Sequence, residues 1–376
     1  MAEYYLNNHI IIDTGSCYTK AGYNGENAPR TVIPTLYGTY LNQNQMLTED
    51  SFKKLLGRDC ISNPYLKLSS PVQGGKVKNW DEVEALWEHI FANELKVTPE
   101  AHNIFMLESL FSSNEDKERT AEIMFEKFNI FNFHSEPQPI MTLYSTTKYT
   151  GLIIESGAGS TLVVPIYESY ILSNYVKFSE IGGEAITNFL SSQISSKLKK
   201  YKVHNEREYS QNIKEKLSEV SLNPLTGSEN FNIKKLYELP DGNSITLGDE
   251  LVFATEGNFN PGMIEKDGLG IHEMIVDCVD SMEATLKKDF YANIVLGGGN
   301  TSITNYPERL KKEIGSKINS TLGANLKLNA QPERKYSAWI GASVICTFNY
   351  FQSMWTCKSE YEESGHKIVV HKKNYL

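Results

Sequence analysis

Two short, similar stretches lying far apart in the chain constrain its fold more than any other feature. The first runs His9, Ile10, Ile11, Ile12 to Asp13 and then Thr14, Gly15, Ser16. The second runs Gly151, Leu152, Ile153, Ile154 to Glu155 and then Ser156, Gly157, Ala158, Gly159, Ser160, Thr161. In each, an apolar run of strand length predicts a buried strand that delivers a carboxylate to its tip. A glycine then lets the chain bend tightly and offer backbone N–H groups. Two such tips could hold one polyanion on their N–H groups while their acids hold a hydrated divalent cation on its phosphates. Lys20, just past the first turn, is placed to put a point charge on phosphate oxygens.

Paired turns of this kind also occur in aspartic proteases, where two Asp carboxylates share a proton. Here the second acid is Glu155, whose carboxyl reaches a methylene further and spoils that geometry. Many amphipathic helices also fit poorly with a largely β protease. A third turn, Gly297, Gly298, Gly299 and Asn300, follows the apolar run Asn293 to Leu296. Three glycines let a backbone approach a flat ligand closely, or simply fill a crowded corner. Neither GxxxxGK[ST] nor GxGxxG occurs, so a P-loop and a dinucleotide fold lack their fingerprints.

The helices read clearly. After Asn79, Trp80, Val83, Trp87, Ile90, Phe91 and Leu95 recur at helical spacing. A second stripe runs Ile186, Phe189, Leu190, Ile194, Leu198. One helix is predicted from His272 to about Lys288, and another from Pro307 through Ile318. The region from Tyr37 to Leu68 is polar, with little helical periodicity until Phe52 to Leu56, and reads as a small, mobile appendage. Strands and helices mixed throughout argue for an α/β architecture, and 376 residues for more than one lobe.

A formal charge of −9 is the wrong sign for nucleic acid, and no apolar run approaches a membrane span. The opening residues lack a secretion signal, which predicts an intracellular protein. Five scattered cysteines without CxxC spacing predict reduced thiols. Cys17, beside the first turn, reads as an ordinary packed thiol. Eight histidines without paired spacing predict solvated or locally bonded side chains rather than a metal cage.

From about Ile10 to His371 the chain resembles actin and the actin-related proteins. IIDTGSCYTKAGYNGENAPR is similar to that family's first phosphate loop, KNWDEVEALWEHIF to its Trp-containing helix, and LYELPDGNSITLGDE to its ELPDG hairpin. KKDFYANIVLGGGNT, QPERKYSAWIGASV and FQSMWTCKSEYEESG continue the match in order. The resemblance implies a two-lobed α/β fold shared with sugar kinases and Hsp70-type ATPases. It implies a first large lobe of residues 1–36, 70–145 and 336–376 with an insert at 37–69 carrying a filament-contact loop. The second lobe would be 146–181 and 271–335, with an insert at 182–270. ATP or ADP with Mg2+ would sit between the lobes.

By the same resemblance Asp13 and Glu155 would flank the cation through water and Gln138 would orient the attacking water. Gly15, Ser16, Cys17, Tyr18 and Lys20 would hold phosphates together with Gly157, Ala158 and Gly159. Gly182, Lys214 and Glu215 would border ribose and base, and Gly298, Gly299, Asn300, Ile303 and Lys335 would surround the adenine. Other actin-family subunits or actin-binding proteins are the implied partners. A helix-binding groove is expected at Tyr144, Ile340, Val344, Ile345, Phe348, Tyr350 and Met354, with internal packing of these residues as the alternative.

The departures bear on chemistry. The family's second loop reads Asp-Ser-Gly-Asp-Gly with a His after the next Thr; here those positions hold Glu155, Ala158 and Leu162. Ile303 replaces an aromatic expected at the base, removing a stacking surface. These changes predict ATP binding with weak or absent hydrolysis, because phosphoryl transfer depends on positioning. Tyr37 to Leu56 retains none of the family's HQGVMVG run, and residues 260–266 carry charges where actins place an apolar plug. The expected role is a structural component of a cytoplasmic cytoskeletal assembly. The alternative is a non-polymerising subunit of a stable complex, dynactin-like, branching or nuclear chromatin-remodelling. A small-substrate kinase on the same fold is a third reading, disfavoured by the PERKY and ELPDG matches.

Overall fold

The computed structural model describes residues 9–40, 55–61, 63, 65–201, 203 and 205–373. The chain forms two compact units, Met1–Lys148 with Tyr336–Leu376, and Tyr149–Lys335.

In the first unit the central strand is β1 (His9–Thr14), followed by β2 (Tyr18–Tyr23) and β3 (Thr31–Pro34) in an antiparallel meander. On its other side β1 pairs in parallel with β4 (Asn103–Glu108), which pairs in parallel with β5 (Asn132–Pro137); Thr356–Cys357 closes that edge. The triple isoleucine of β1 makes sense in this position. Ile10 and Ile12 face one core with Ala21, Ile104, Met106 and the helix residues Val83, Leu86 and Trp87. Ile11 faces the other, with Phe105, Met141 and Trp339. Alternation of side chains across a strand sends neighbours to opposite faces, so a strand buried on both must be apolar throughout. Each such side chain contributes about 1.5–3 kcal/mol.

The second unit repeats the plan. Strand β6 (Gly151–Ser156) is central, antiparallel to β7 (Thr161–Tyr167), which pairs with β8 (Tyr170–Ile171) and with Lys177–Ser179. On its other side β6 is parallel to β9 (Ile294–Gly297), and β9 to β10 (Leu328–Asn329). Both sheets therefore set an antiparallel hairpin on one side of the central strand and parallel strands on the other. The sequence echo is a duplication of this unit. The mixed α/β architecture agrees with the fold that the resemblance implied.

The helices follow their stripes, with two corrections. Asn79 caps the Trp80–His89 helix by accepting from the amides of Asp81 and Glu82. The stripe then continues to Leu95 as a wider π-helical segment, Ile90–Leu95. The single helix expected from His272 to Lys288 is two, Ile271–Asp280 and Ala284–Tyr291. Ser281 Oγ donates to the carbonyls of Asp277 and Cys278, ending the first helix, and Glu283 is extended before the second. Leu55–Leu56, expected to be helical, is a strand of a small sheet with Tyr37–Tyr40 and Leu66–Ser69. Phe52 and most of the expected filament-contact loop lie outside the described residues.

All five cysteines are free thiols. Burial pushes Cys60 and Cys278 up to about 12, so both stay protonated and unreactive. Of the two expected states, His9, His102, His134 and His272 are buried rather than solvated, and the rings of His9 and His134 are hydrogen-bonded, to Asn103 and to Met354 and Glu136.

His9 yields a pH prediction. Asn132 Nδ2 donates to Asn103 Oδ1, which turns the Asn103 Nδ2 toward His9 Nδ1 at 3.1 Å. That nitrogen must therefore accept, and the ring stays neutral. Burial lowers its pKa from 6.5 to about 4. In the unfolded chain the ring takes a proton that the folded chain refuses, so stability present above pH 6.5 is lost as pH falls toward 4. The expected loss is about 3 kcal/mol. Urea midpoints followed by tryptophan fluorescence at pH 7 and pH 4.5 should show it in the native chain and much less in His9→Gln. Parallel pH slopes in the two proteins would assign the effect elsewhere.

Candidate functional site

The first turn joins β1 to β2 and is closed by the Gly15 N–H donating to the Tyr18 carbonyl at 3.1 Å. Asp13 and Lys20 sit opposite each other in the antiparallel register, so both side chains leave the sheet on one face. Lys20 Nζ lies 2.5 Å from Asp13 Oδ2. Gln138 opens the Gln138–Tyr144 helix, and its Nε2 donates to Asp13 Oδ1 at 2.6 Å. Asp13 is nearly buried, and a buried carboxylate is costly unless compensated; here each oxygen receives a donor, one of them charged.

The turn is braced from behind by residues that the sequence does not mark as part of the site. Trp87 Nε1 donates to Thr14 Oγ1 at 3.0 Å. Ser70 Oγ donates to the Ser16 carbonyl, and the Gly75 N–H donates to Ser16 Oγ, each at 3.0 Å. The Cys17 carbonyl accepts from the Thr35 amide at 2.8 Å, and Tyr18 begins β2 opposite Pro34. Only Trp87 carried a signal, its place in the helical stripe.

The second turn has the same closure, Gly157 N–H to the Ser160 carbonyl at 3.0 Å. Its own carbonyls are taken by the start of the Gly183–Lys200 helix. Gly183 N–H donates to the Gly157 carbonyl at 2.9 Å and Glu184 N–H to the Ala158 carbonyl at 2.8 Å. The amides of Ala158 and Gly159 have no partner among the described residues. Gly182 is required by close approach: a Cβ there would lie 2.5 Å from the Ala158 oxygen. Leu162, opposite Glu155 in the hairpin, is buried and offers no hydrogen bond.

Around this turn Lys214 is buried and donates from Nζ to the Gly183 carbonyl at 2.8 Å. Glu215 accepts from Gln211 at 2.9 Å. Asn300 Nδ2 donates to Ser156 Oγ at 3.0 Å and to Asn258 Oδ1 at 2.7 Å, tying the third glycine turn to the second. The three glycines are not alike. Gly298 has φ of 82°, and a Cβ there would fall 2.2 Å from the Ser156 oxygen, so it serves a crowded corner. Gly299 is exposed, and its nearest neighbour in that direction is the Lys335 Cβ at 4.0 Å. Ile303 packs in the hydrophobic core of the second unit.

The expected partner groove divides. Ile345 is buried in the core, and Tyr144, Ile340 and Met354 are half-buried against it, so these four pack internally. Val344, Phe348 and Tyr350 are exposed, the last two with rings stacked 5.7 Å apart.

Each unit thus presents an acid at a strand tip beside a glycine turn, with a lysine on the first and, on the second, amides that have no partner among the described residues. Taken unit by unit, an acid at a strand tip suits a hydrated cation better than direct metal ligation, and a lysine or open turn amides suit phosphate oxygens. No group of three potential metal ligands occurs among the described residues, and none of their helices is long and apolar enough to cross a membrane. Compared with known families, the chain matches the family model described as Actin over residues 6–374.

Proposed function

Because the chain belongs to the actin family, we propose that it is an ATP-binding structural protein of a cytoplasmic cytoskeletal assembly that hydrolyses its nucleotide slowly or not at all. One observation carries the reading: the acid-tipped turn is built twice with the same closure, and the second leaves the Ala158 and Gly159 amides without a partner among the described residues. Amides held in that way fit phosphate oxygens. Lys20 adds charge on the first turn, and Asp13 and Glu155 would hold Mg2+ through water. The cation would neutralise phosphate charge when bound.

For hydrolysis, Gln138 is the orienting group. Its Nε2 is committed to Asp13, which leaves Oε1 to accept a hydrogen bond from water. Neither the Ala158 nor the Leu162 side chain supplies a second polar contact to that water, and phosphoryl transfer is sensitive to such positioning. Slow turnover follows.

A second reading, a non-polymerising actin-related subunit of a stable complex, is favoured by the segment after Asn260. Pro261 and Ile264 are buried and anchor it, whereas Glu265, Lys266 and Asp267 are exposed. Charges of this kind are costly to bury unpaired in a subunit contact.

The deciding experiment is chromatography of nucleotide released by denaturing freshly purified protein, followed by sedimentation of the native protein in Mg2+ and salt. Stoichiometric ATP supports binding without turnover, ADP points to residual hydrolysis, and an empty protein sinks the nucleotide reading. A critical concentration on sedimentation selects the filament former over the solitary subunit.

A further inference from the structure

The backbone at Gly297 does not require glycine. It is the last residue of β9, pairs in parallel register with Glu155, and is not among the left-handed residues. Its neighbour Gly298 is left-handed and crowded by backbone. What stands over the Gly297 Cα is an acid. A Cβ there would fall 2.4 Å from Glu155 Oε1 and 2.8 Å from both its Cδ and its Oε2. The three nearest atoms all belong to one carboxylate, which occupies the volume where a side chain would begin.

We propose that Gly297 is the positioning residue for Glu155, seating its carboxylate on the bare Cα of the neighbouring strand. The inference rests on the reading that Glu155 serves the hydrated cation, and deepens it. A Glu at a strand tip carries its carboxylate a methylene further than an Asp, and the surplus length has to go somewhere. Folding it back across β9 absorbs it, and only a residue without a Cβ leaves that space. Acid length at 155 and side-chain size at 297 are therefore one setting. An alanine at 297 displaces the end of a flexible side chain rather than backbone, so it moves the carboxylate at little cost to the fold.

The test is a double-mutant cycle of the native chain, Gly297→Ala, Glu155→Asp and the two combined. The readout is the Mg2+ concentration that half-protects the protein against release of a fluorescent etheno-adenine analogue of ATP. Gly297→Ala is expected to raise that concentration about tenfold, the scale seen when the support of a metal-facing carboxylate is removed. In the Glu155→Asp background, where the shorter acid clears the new methyl, the same change should shift it less than about twofold. The thermal midpoint in EDTA should be the same with and without Gly297→Ala. Equal shifts in both backgrounds, no shift in either, or a matching fall in the EDTA midpoint would overturn the positioning role. If the native chain binds the analogue but ignores Mg2+, the cation reading itself fails and takes this inference with it.

Discussion

Gly341→Ala is expected to cost the first unit about 4 kcal/mol or more, at the upper end of what a single substitution does. Gly341 lies in the Ser337–Ile345 helix where that helix crosses Gln138–Tyr144. A Cβ there would sit 1.7 Å from the Met141 carbonyl oxygen and 2.6 Å from its carbon. Both are helix backbone, so no rotamer change relieves the clash and the helices must part. Parting them disturbs more than packing. Trp339 is fully buried in the same helix and donates from Nε1 to the Ile11 carbonyl on β1 at 3.1 Å. The facing helix carries Gln138, which holds Asp13. All four tryptophans, Trp80, Trp87, Trp339 and Trp355, belong to the first unit, so urea unfolding followed by tryptophan fluorescence reports on it selectively. An unchanged midpoint would mean the helices have room that the geometry denies.

The parts legible in the sequence are those encoded locally. Ile10 to Ile12 ahead of Asp13, and Leu152 to Ile154 ahead of Glu155, announce buried strands with acids at their tips, because one strand buried on both faces leaves no polar position until its end. The Trp80 and Ile186 stripes announce helices for the same reason. Elements whose state depends on one polar side chain, or on a partner far along the chain, were not legible. Ser281 breaks a continuous apolar stripe through its own hydroxyl, a choice the 3.6-residue period does not record. Ile345 and Val344 are equally apolar neighbours, yet one is core and the other exposed, according to which side of the helix meets Phe105 and Trp355.

The site shows the same division. Gly297, Gly298 and Gly299 are identical letters with three duties: a seat for a carboxylate, a left-handed corner and an open edge. Lys20 could be read as a charge beside the first turn, but its pairing with Asp13 comes from the hairpin register. The bracing of Ser16 by Ser70 and Gly75 could not, since it depends on a segment more than fifty residues away folding back.

In the second unit, Arg309→Met is expected to cost about 4 kcal/mol, and much of that should return when Glu256→Leu is added. The side chains of Arg309 and Glu256 are each only 1% exposed. The guanidinium meets both carboxylate oxygens, Nη2 to Oε1 at 2.8 Å and Nη1 to Oε2 at 3.1 Å. Its other donors go to the carbonyls of Ser221 and Asn223 and to Glu313. One side chain thus ties the Tyr306–Lys317 helix to the end of the Glu250–Glu256 helix and to the loop after Leu217. Burial pushes the Glu256 carboxyl above its usual range even with Arg309 beside it. Removing the arginine leaves a carboxylate that burial disfavours and nothing neutralises. Its folded pKa then lies further above the unfolded value, so the folded form binds the extra proton and the deficit shrinks as pH falls below that raised pKa. Because this unit holds no tryptophan, its unfolding should appear as loss of far-ultraviolet circular dichroism at urea concentrations where tryptophan fluorescence is still native. If Arg309→Met and the double variant lose equal stability, or the deficit does not change with pH, the cost comes from the severed carbonyl contacts and not from the stranded charge.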